Sequence, residues 1–174
     1  MDDFVAKPIH ESITIHAPIE RCFALSTRIE LVQRTLGMKL IGSVTTGHIT
    51  ANSRVTWQGW KFGLPTTHHT LITAFEPPHS LTTGKAAFFQ DTQERGRFAF
   101  FQHDHHFHQE ADPVEGLPTT TLRDEIRFAL PFGPLGRLAA KYLLAPHIRK
   151  LAHQRFALIK QLAETEGWRD WVQP

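Results

Sequence analysis

The residues whose types and spacing could do chemistry are concentrated in one strand-like run in the second half of the chain. Positions 101–108 are Phe-Gln-His-Asp-His-His-Phe-His, and strand alternation places Phe101, His103, His105 and Phe107 on one face. If that face points inward, two imidazoles enter an apolar interior. There they would hydrogen-bond the polar end of a ligand, or act as general acid and base near neutral pH. The alternation does not decide which face points inward.

One carboxylate interrupts the apolar face of the strand predicted at 119–130. Asp124 shares its alternation with Ile126, so the same orientation would bury it. A buried carboxylate needs a partner or a raised pKa, and His103 or His105 on the adjoining strand is the expected partner. Such a pair is a candidate acid–base unit. A purely structural pair, and a register that exposes Asp124, stay open as alternatives.

The two-residue spacing of His103 and His105 also occurs in two-histidine metal sites. A third ligand would have to come from elsewhere, for instance Asp124 or His69, and no spacing requires it, so we predict no metal and no cofactor. Nucleotide-binding, nucleophile-elbow and zincin motifs are absent from the sequence, which leaves those classes unsupported. The single cysteine, Cys22, excludes an internal disulfide.

The elements that must position these residues are a series of strands followed by one long helix. Hydrophobic alternation predicts a first strand at 9–15, then two short helices that end at Gly37, then six strands joined by short loops. An apolar stripe at helical spacing runs from Pro134 to about Glu164, and Pro146 should kink or interrupt that helix. We therefore predict an α+β fold with one long helix against a curved antiparallel sheet and a cavity between them.

Five local expectations are specific enough to be checked. We expect the fourth strand at 68–75, ended by Pro77-Pro78, and the fifth from about 81 to 93 with an interruption near Gly84. The helical stripe should begin with the inward residues Leu135, Leu138, Ala139 and Tyr142. A hairpin loop is expected at 112–118, and the second strand at 39–46.

Composition is ordinary for a globular protein: 174 residues, 41% hydrophobic and 21% charged, with a formal net charge of +2. We expect a single domain over 1–174, and the near-neutral charge gives no support for nucleic-acid binding. The sequence shows neither a signal-peptide pattern nor an apolar run of transmembrane length, so a cytoplasmic location is expected. Basic residues concentrate between Arg137 and Lys160; a solvated helix face is favoured, with docking to an acidic membrane or partner as the alternative.

Element order and several short patterns resemble the START-like (SRPBCC) superfamily, which includes polyketide cyclases/dehydrases and small lipid-binding proteins. The patterns that carry the resemblance are the strand and Pro-started helix at 13–23, Phe89-Gln-Asp91, Gly96-Arg-Phe98, His103-Asp-His105-His-Phe107, and Asp124 followed by 131–138. The resemblance implies a helix-grip fold, with seven strands around the C-terminal helix and a cavity for a hydrophobic small molecule. It does not imply one activity. Extra residues around 80–87 depart from the family pattern at one rim of the cavity.

Our main functional hypothesis is the binding of an apolar or aromatic small molecule, such as a lipid, quinone or polyketide-like compound. One alternative is a cyclase/dehydrase-like enzyme that uses a His–Asp pair, with His103, His105 and Asp124 as catalytic candidates. The other is docking to a membrane or partner through the basic helix face. The predicted ligand-binding residues are Trp57, His69, Leu71, Phe89, Phe101, His103, His105, Phe107, Asp124, Ile126, Leu138 and Tyr142.

Overall fold

The computed structural model describes residues 7–42, 44–111 and 116–172. One antiparallel sheet has the strand order β1-β7-β6-β5-β4-β3-β2. Its strands are β1 (Ile9–Ile15), β2 (Lys39–Ile41), β3 (Arg54–Lys61), β4 (Leu64–Leu81), β5 (Gly84–Arg95), β6 (Phe100–Glu110) and β7 (Thr120–Ala129). Helices α1 (Ile19–Thr27) and α2 (Ile29–Leu36) follow β1. The predicted fold class is confirmed.

The C-terminal helix has three parts: α3 (Gly133–Ala139), a π-helical segment (Ala140–Leu144) and α4 (Ala145–Ala163). Pro146 lies in the first turn of α4 and has no N–H to continue the α-helical ladder, so the turn before it is widened. The interruption predicted at Pro146 is therefore present as a π segment. A short 3₁₀ helix, Glu166–Asp170, follows. Among the described residues, no helix is both long and apolar enough to cross a bilayer.

Helices α1 and α2 cover one end of the sheet. Phe23 of α1 makes edge-on ring contacts with Phe75 at 5.3 Å, Phe89 at 6.0 Å and Phe107 at 5.4 Å. Gly37 ends α2 with a left-handed φ of 61°, a conformation that costs glycine little. This aromatic cluster fills the space between α1 and the sheet. The space that stays open lies under the N-terminal part of α4.

Strand β4 differs from the prediction. It runs through Pro77-Pro78 to Leu81, because a register shift between Glu76 and His79 breaks the ladder where the prolines cannot donate. The fifth strand begins only at Gly84, and 82–83 form the turn between β4 and β5. The two predicted pieces of strand five are thus the end of β4 and the true β5.

The apolar stripe predicted for the C-terminal helix is wrong in its first part. Leu138 and Tyr142 were predicted to face inward, but Leu138 is 54% exposed and Tyr142 is 67% exposed, and Leu135 is exposed as well. The π segment adds one residue to a turn, which rotates the faces before and after it by about 100° relative to each other. One stripe at constant spacing therefore cannot stay inward through both α3 and α4.

One loop prediction and one strand prediction fall partly outside the described residues. Positions 112–115 of the expected hairpin loop are not described, and neither is Ser43 within the strand expected at 39–46. In the described part of that strand, β2 ends at Ile41.

Candidate functional site

A cavity of about 340 Å³ lies between the inner face of the sheet and α4. Its walls are mostly apolar and come from the sheet and from the helices. The apolar lining residues include Ile29, Met38, Val55, Trp57, Ile72, Phe89, Phe98, Phe101, Ile126, Ile148 and Ala152. The polar side chains on the wall include His68, Asp91, His103, His105 and Arg155, and Lys61, Arg97 and His147 line the cavity as well. The cavity thus has a large apolar surface and a small set of polar groups.

The fully buried carboxylate of Asp124 lies beside three of those polar groups. It is 2.8 Å from His105 Nδ1, and its two oxygens are 3.4 Å and 3.1 Å from Nη1 of Arg155. His103 Nε2 is 3.1 Å from Asp124 Oδ2, off the direction of a hydrogen bond. Asp124 therefore hydrogen-bonds one imidazole and a guanidinium and lies beside a second imidazole, which compensates for its burial.

A second carboxylate, Asp91, faces the same imidazoles from the other side. Its Oδ2 is 3.2 Å from His105 Nε2 and 3.9 Å from His103 Nδ1. The two imidazole rings are 3.7 Å apart at their centroids, and Phe89 stacks on His105 at 4.1 Å. The rings are thus held between two carboxylates and against an aromatic wall.

Three adjacent strands bring these residues together. Asp91 of β5 is paired with His103 of β6, and His105 of β6 is paired with Asp124 of β7. Residues that are opposite or two apart on neighbouring antiparallel strands share a face, so all four point inward. Arg155 comes from α4, which lies across that face.

The electrostatics of the cluster favour ionised carboxylates and neutral imidazole at His105. Burial opposes ionisation of Asp124, but His105 and Arg155 outweigh it and hold the pKa of Asp124 well below its ordinary value. At Asp91, too, burial opposes ionisation, but the neighbouring imidazoles of His105 and His103 lower the pKa. Burial, together with His103, lowers the pKa of His105.

The structure puts six of the predicted ligand-binding residues on the cavity wall: Trp57, Phe89, Phe101, His103, His105 and Ile126. Asp124 lies directly behind that wall, in contact with both histidines. Phe107 is on the predicted face but belongs to the aromatic core under α1. Leu138 and Tyr142 are on the exposed side of the helix.

Two predicted ligand-binding residues on β4 point away from the cavity. His69 hydrogen-bonds Thr56 at 3.1 Å on the outer side of the sheet, and Leu71 shares its orientation. Their neighbours His68 and Thr70 line the cavity instead. Alternation alone permits both orientations, and a one-residue change of register exchanges the two faces.

Sequence reasoning missed Asp91 and Arg155. Asp91 is two residues from the inward Phe89, so alternation on β5 could have identified it. Arg155 was assigned to the solvated helix face, yet it is three residues after Ala152 and seven after Ile148, the spacing of the buried stripe. A charged residue at that spacing is the signal that was overlooked.

The one cysteine takes no part in this site. Burial raises the pKa of the Cys22 thiol to about 12, against weaker opposing effects from Thr120 and Arg21. The thiolate, which is the nucleophilic form of cysteine, is therefore disfavoured.

Comparison with known proteins shows the fold. No protein-family model matches the sequence, and no curated protein matches it. Among solved structures, the ZhuI aromatase/cyclase from Streptomyces sp. R1128 matches with a TM-score of 0.60 and 10% identity, over 92% of this chain and 94% of that one. Norcoclaurine synthase from Thalictrum flavum matches with a TM-score of 0.56 and 10% identity, over 90% and 94% of the two chains.

A START superfamily protein from Mycobacterium smegmatis matches with a TM-score of 0.51 and 12% identity, over 87% of this chain and 98% of that one. The matches extend over nearly the whole length of each chain. They show that the chain has the START-like helix-grip fold that the sequence resemblance implied.

Proposed function

We propose that this protein binds an apolar or aromatic small molecule in the cavity between its sheet and α4. The observation that carries the proposal is the cavity itself: about 340 Å³, apolar over most of its wall, with His103, His105, Asp91 and Arg155 among its polar lining residues. Ligand sites commonly have a volume of a few hundred Å³ and a few convergent polar groups in an apolar lining. A lipid, quinone or polyketide-like compound has the matching chemistry.

Arg155 is one of the groups on the wall with unused hydrogen-bonding capacity, and it is the one that carries a permanent charge. Its Nη1 contacts Asp124, whereas Nη2 is buried and has no hydrogen-bond partner among the described residues. A buried donor without a partner is costly, and a ligand oxygen would satisfy it. The apolar wall would therefore hold the body of the ligand, and Arg155 with His103 would orient its oxygen-bearing end.

The test is native mass spectrometry of the purified protein, followed by organic extraction and a fluorescent-probe binding assay. A matched pair of variants locates the site. Ala152→Leu adds volume at the cavity wall, while Ala157→Leu adds the same volume to the exposed side of α4. We expect Ala152→Leu to weaken binding at least about tenfold and Ala157→Leu to leave it unchanged. Equal affinity in both variants would rule out this cavity as the site.

A cyclase/dehydrase-like enzyme is the second candidate, and the geometry of His103 supports it. This imidazole borders the cavity, is 15% exposed, and has a carboxylate near each ring nitrogen. A histidine held in this way could exchange a proton with a bound carbonyl compound. His103→Gln separates the two candidates: in a carrier it changes affinity modestly, and in an enzyme it abolishes turnover while most affinity is kept.

The docking hypothesis also has a supporting observation, although at a different surface from the one predicted. Exposed apolar residues lie on α3 and the π segment (Leu135, Leu138, Tyr142, Leu143) and at the β3–β4 turn (Phe62, Leu64), and Phe62, Leu64 and Leu143 also line the cavity. We call these six residues the mouth surface. Surfaces of this kind commonly mark interaction sites.

A further inference from the structure

The contact between His105 and Asp91 has an unusual chemical requirement. Nδ1 of His105 is 2.8 Å from the buried Asp124 carboxylate, which can only accept, so that nitrogen carries the proton. In the neutral imidazole, Nε2 then presents a lone pair. It faces another acceptor, Asp91 Oδ2, at 3.2 Å. Two acceptors at that distance need a cation between them, which is either a second proton or a metal ion.

His103 repeats the same arrangement on the adjacent inward position of β6. Its Nε2 is near Asp124 at 3.1 Å, and its Nδ1 is directed toward Asp91 Oδ2 at 3.9 Å. One nitrogen from each imidazole and one oxygen of Asp91 thus converge, all within 4.8 Å of one another. Two nitrogens and one carboxylate oxygen are a common donor set for catalytic zinc and for non-haem iron.

The distances fit a metal ion with small side-chain movements. Ligand atoms bound tetrahedrally at about 2.0–2.1 Å from zinc lie roughly 3.3 Å from each other. The separations of 3.2 Å and 3.9 Å around Asp91 Oδ2 bracket that value. The three residues also line the cavity, so the fourth coordination position of the metal ion would be open toward the cavity.

We propose that Asp91, His103 and His105 bind a divalent transition metal ion, with zinc the best match, and that Asp124 orients the two imidazoles. A carboxylate behind a metal-binding histidine fixes its ring and tautomer, and Asp124 contacts the second nitrogen of both rings. Arg155 neutralises Asp124 from the far side. With neutral imidazoles, the two carboxylates and one guanidinium leave a net charge of −1, which favours a cation.

This arrangement differs from the one considered from the sequence alone. There the third ligand was sought at Asp124 or His69, and no spacing supported either. The structure directs His69 outward and gives Asp124 the orienting position, while Asp91 supplies the carboxylate. The proposal is independent of the identity of any organic ligand, because its readout is metal binding itself.

The experiment begins with chelator-treated full-length protein, titrated with Zn²⁺ by calorimetry and with Co²⁺ by absorption spectroscopy. We expect one tight site per chain, a Co²⁺ spectrum typical of low coordination number, and a rise in melting temperature on Zn²⁺ addition. Asp91→Asn keeps the size and one acceptor atom of the side chain, and should weaken the tight site at least about tenfold. His106→Gln, on the outer face of the same strand, should not change it.

Two results would overturn the proposal. One is weak metal binding at several sites that His106→Gln reduces and Asp91→Asn does not. That result would show that surface histidines bind the metal ion. The other is no tight site, together with nitrogen chemical shifts that show both nitrogens of His105 protonated, in which case a proton occupies the position between His105 and Asp91. Circular dichroism of each variant verifies that it is folded.

Discussion

At the residue scale, Asp124 is the buried group on which the others in the cluster depend. It is fully buried and contacts His103 and His105 of β6 and Arg155 of α4. Asp91 also lies near the two histidines, but Asp124 contacts all three of these side chains. Removing its charge would leave a buried guanidinium without a counter-charge.

We expect Asp124→Asn to lower the free energy of unfolding by about 3 to 5 kcal/mol, because it leaves Arg155 charged and buried. Urea unfolding monitored by circular dichroism measures the change. The matched control is Glu125→Gln, the next residue, whose carboxylate makes partly exposed ion pairs with His10 and Arg127. It should cost less than about 1 kcal/mol. Similar losses in both variants would mean that the buried network is not important for stability.

Acidification should also destabilise the fold through His105. Burial and His103 put its folded pKa below the ordinary 6.5, so the unfolded chain binds the proton more readily. This contribution is fully present above pH 6.5 and is lost as pH falls below it. The lowered pKa values of Asp91 and Asp124 act in the same direction at lower pH.

The corresponding measurement is urea unfolding at several pH values between 7.5 and 5.5. We expect stability to fall with pH, and to fall less steeply in His105→Gln than in wild type, whereas His106→Gln keeps the wild-type slope. Stability that is constant or rises on acidification would contradict the neutral state assigned to His105.

At the scale of elements, the π segment determines which side chains of the C-terminal helix reach the core. Before it, Leu135 and Leu138 are exposed; after it, Ile148 and Ile159 are buried. The extra residue in the widened turn changes the phase of the helix, and Pro146 is the reason the turn is widened. The helix thus presents one apolar face to the core and another to the mouth of the cavity.

Two truncations measure this change of face. Ile159→Ala removes a side chain that is 2% exposed and should cost about 2 to 5 kcal/mol of unfolding free energy. Leu138→Ala removes one that is 54% exposed and should change stability by no more than about 0.5 kcal/mol. A large loss in Leu138→Ala would show that α3 packs more deeply than the structure indicates.

At the scale of the whole molecule, acidic residues are absent from the two stretches of chain that supply most of the cavity wall. Neither 31–75 nor 126–163 contains an Asp or Glu, although the chain has 17 of them. Lys61 and Lys141 lie within these stretches, beside Phe62 and Tyr142 of the mouth surface. Exposed apolar side chains with a basic surround are complementary to an anionic lipid surface.

If the docking alternative holds, the protein should bind phosphatidylserine-containing vesicles, and the binding should weaken as salt increases. The double variant Leu135→Ser/Leu138→Ser should reduce co-sedimentation several-fold. Leu81→Ser/Leu117→Ser, which also changes two exposed leucines but at the end of β4 and before β7, should not. Absence of binding to anionic vesicles would remove the docking hypothesis.

Sequence by itself determined the order of elements, the α+β class and the placement of His103 and His105 on one strand face, but not the direction in which that face points. These follow from local alternation and from turn-forming residues, which act over a few positions. Gly37 ending α2 and Pro146 interrupting the helix are further examples, because each acts through its own backbone. Such features need no knowledge of what packs against them.

Tertiary structure alone decided which residues meet. Bulges in β4 put His68 rather than His69 on the cavity wall, and the π segment turned Leu138 and Tyr142 outward. Asp91 became part of the polar cluster only because β5 pairs beside β6, and Arg155 only because α4 crosses that face. A register shift of one residue reverses a face, and pairing joins residues far apart in sequence, so local patterns cannot supply either.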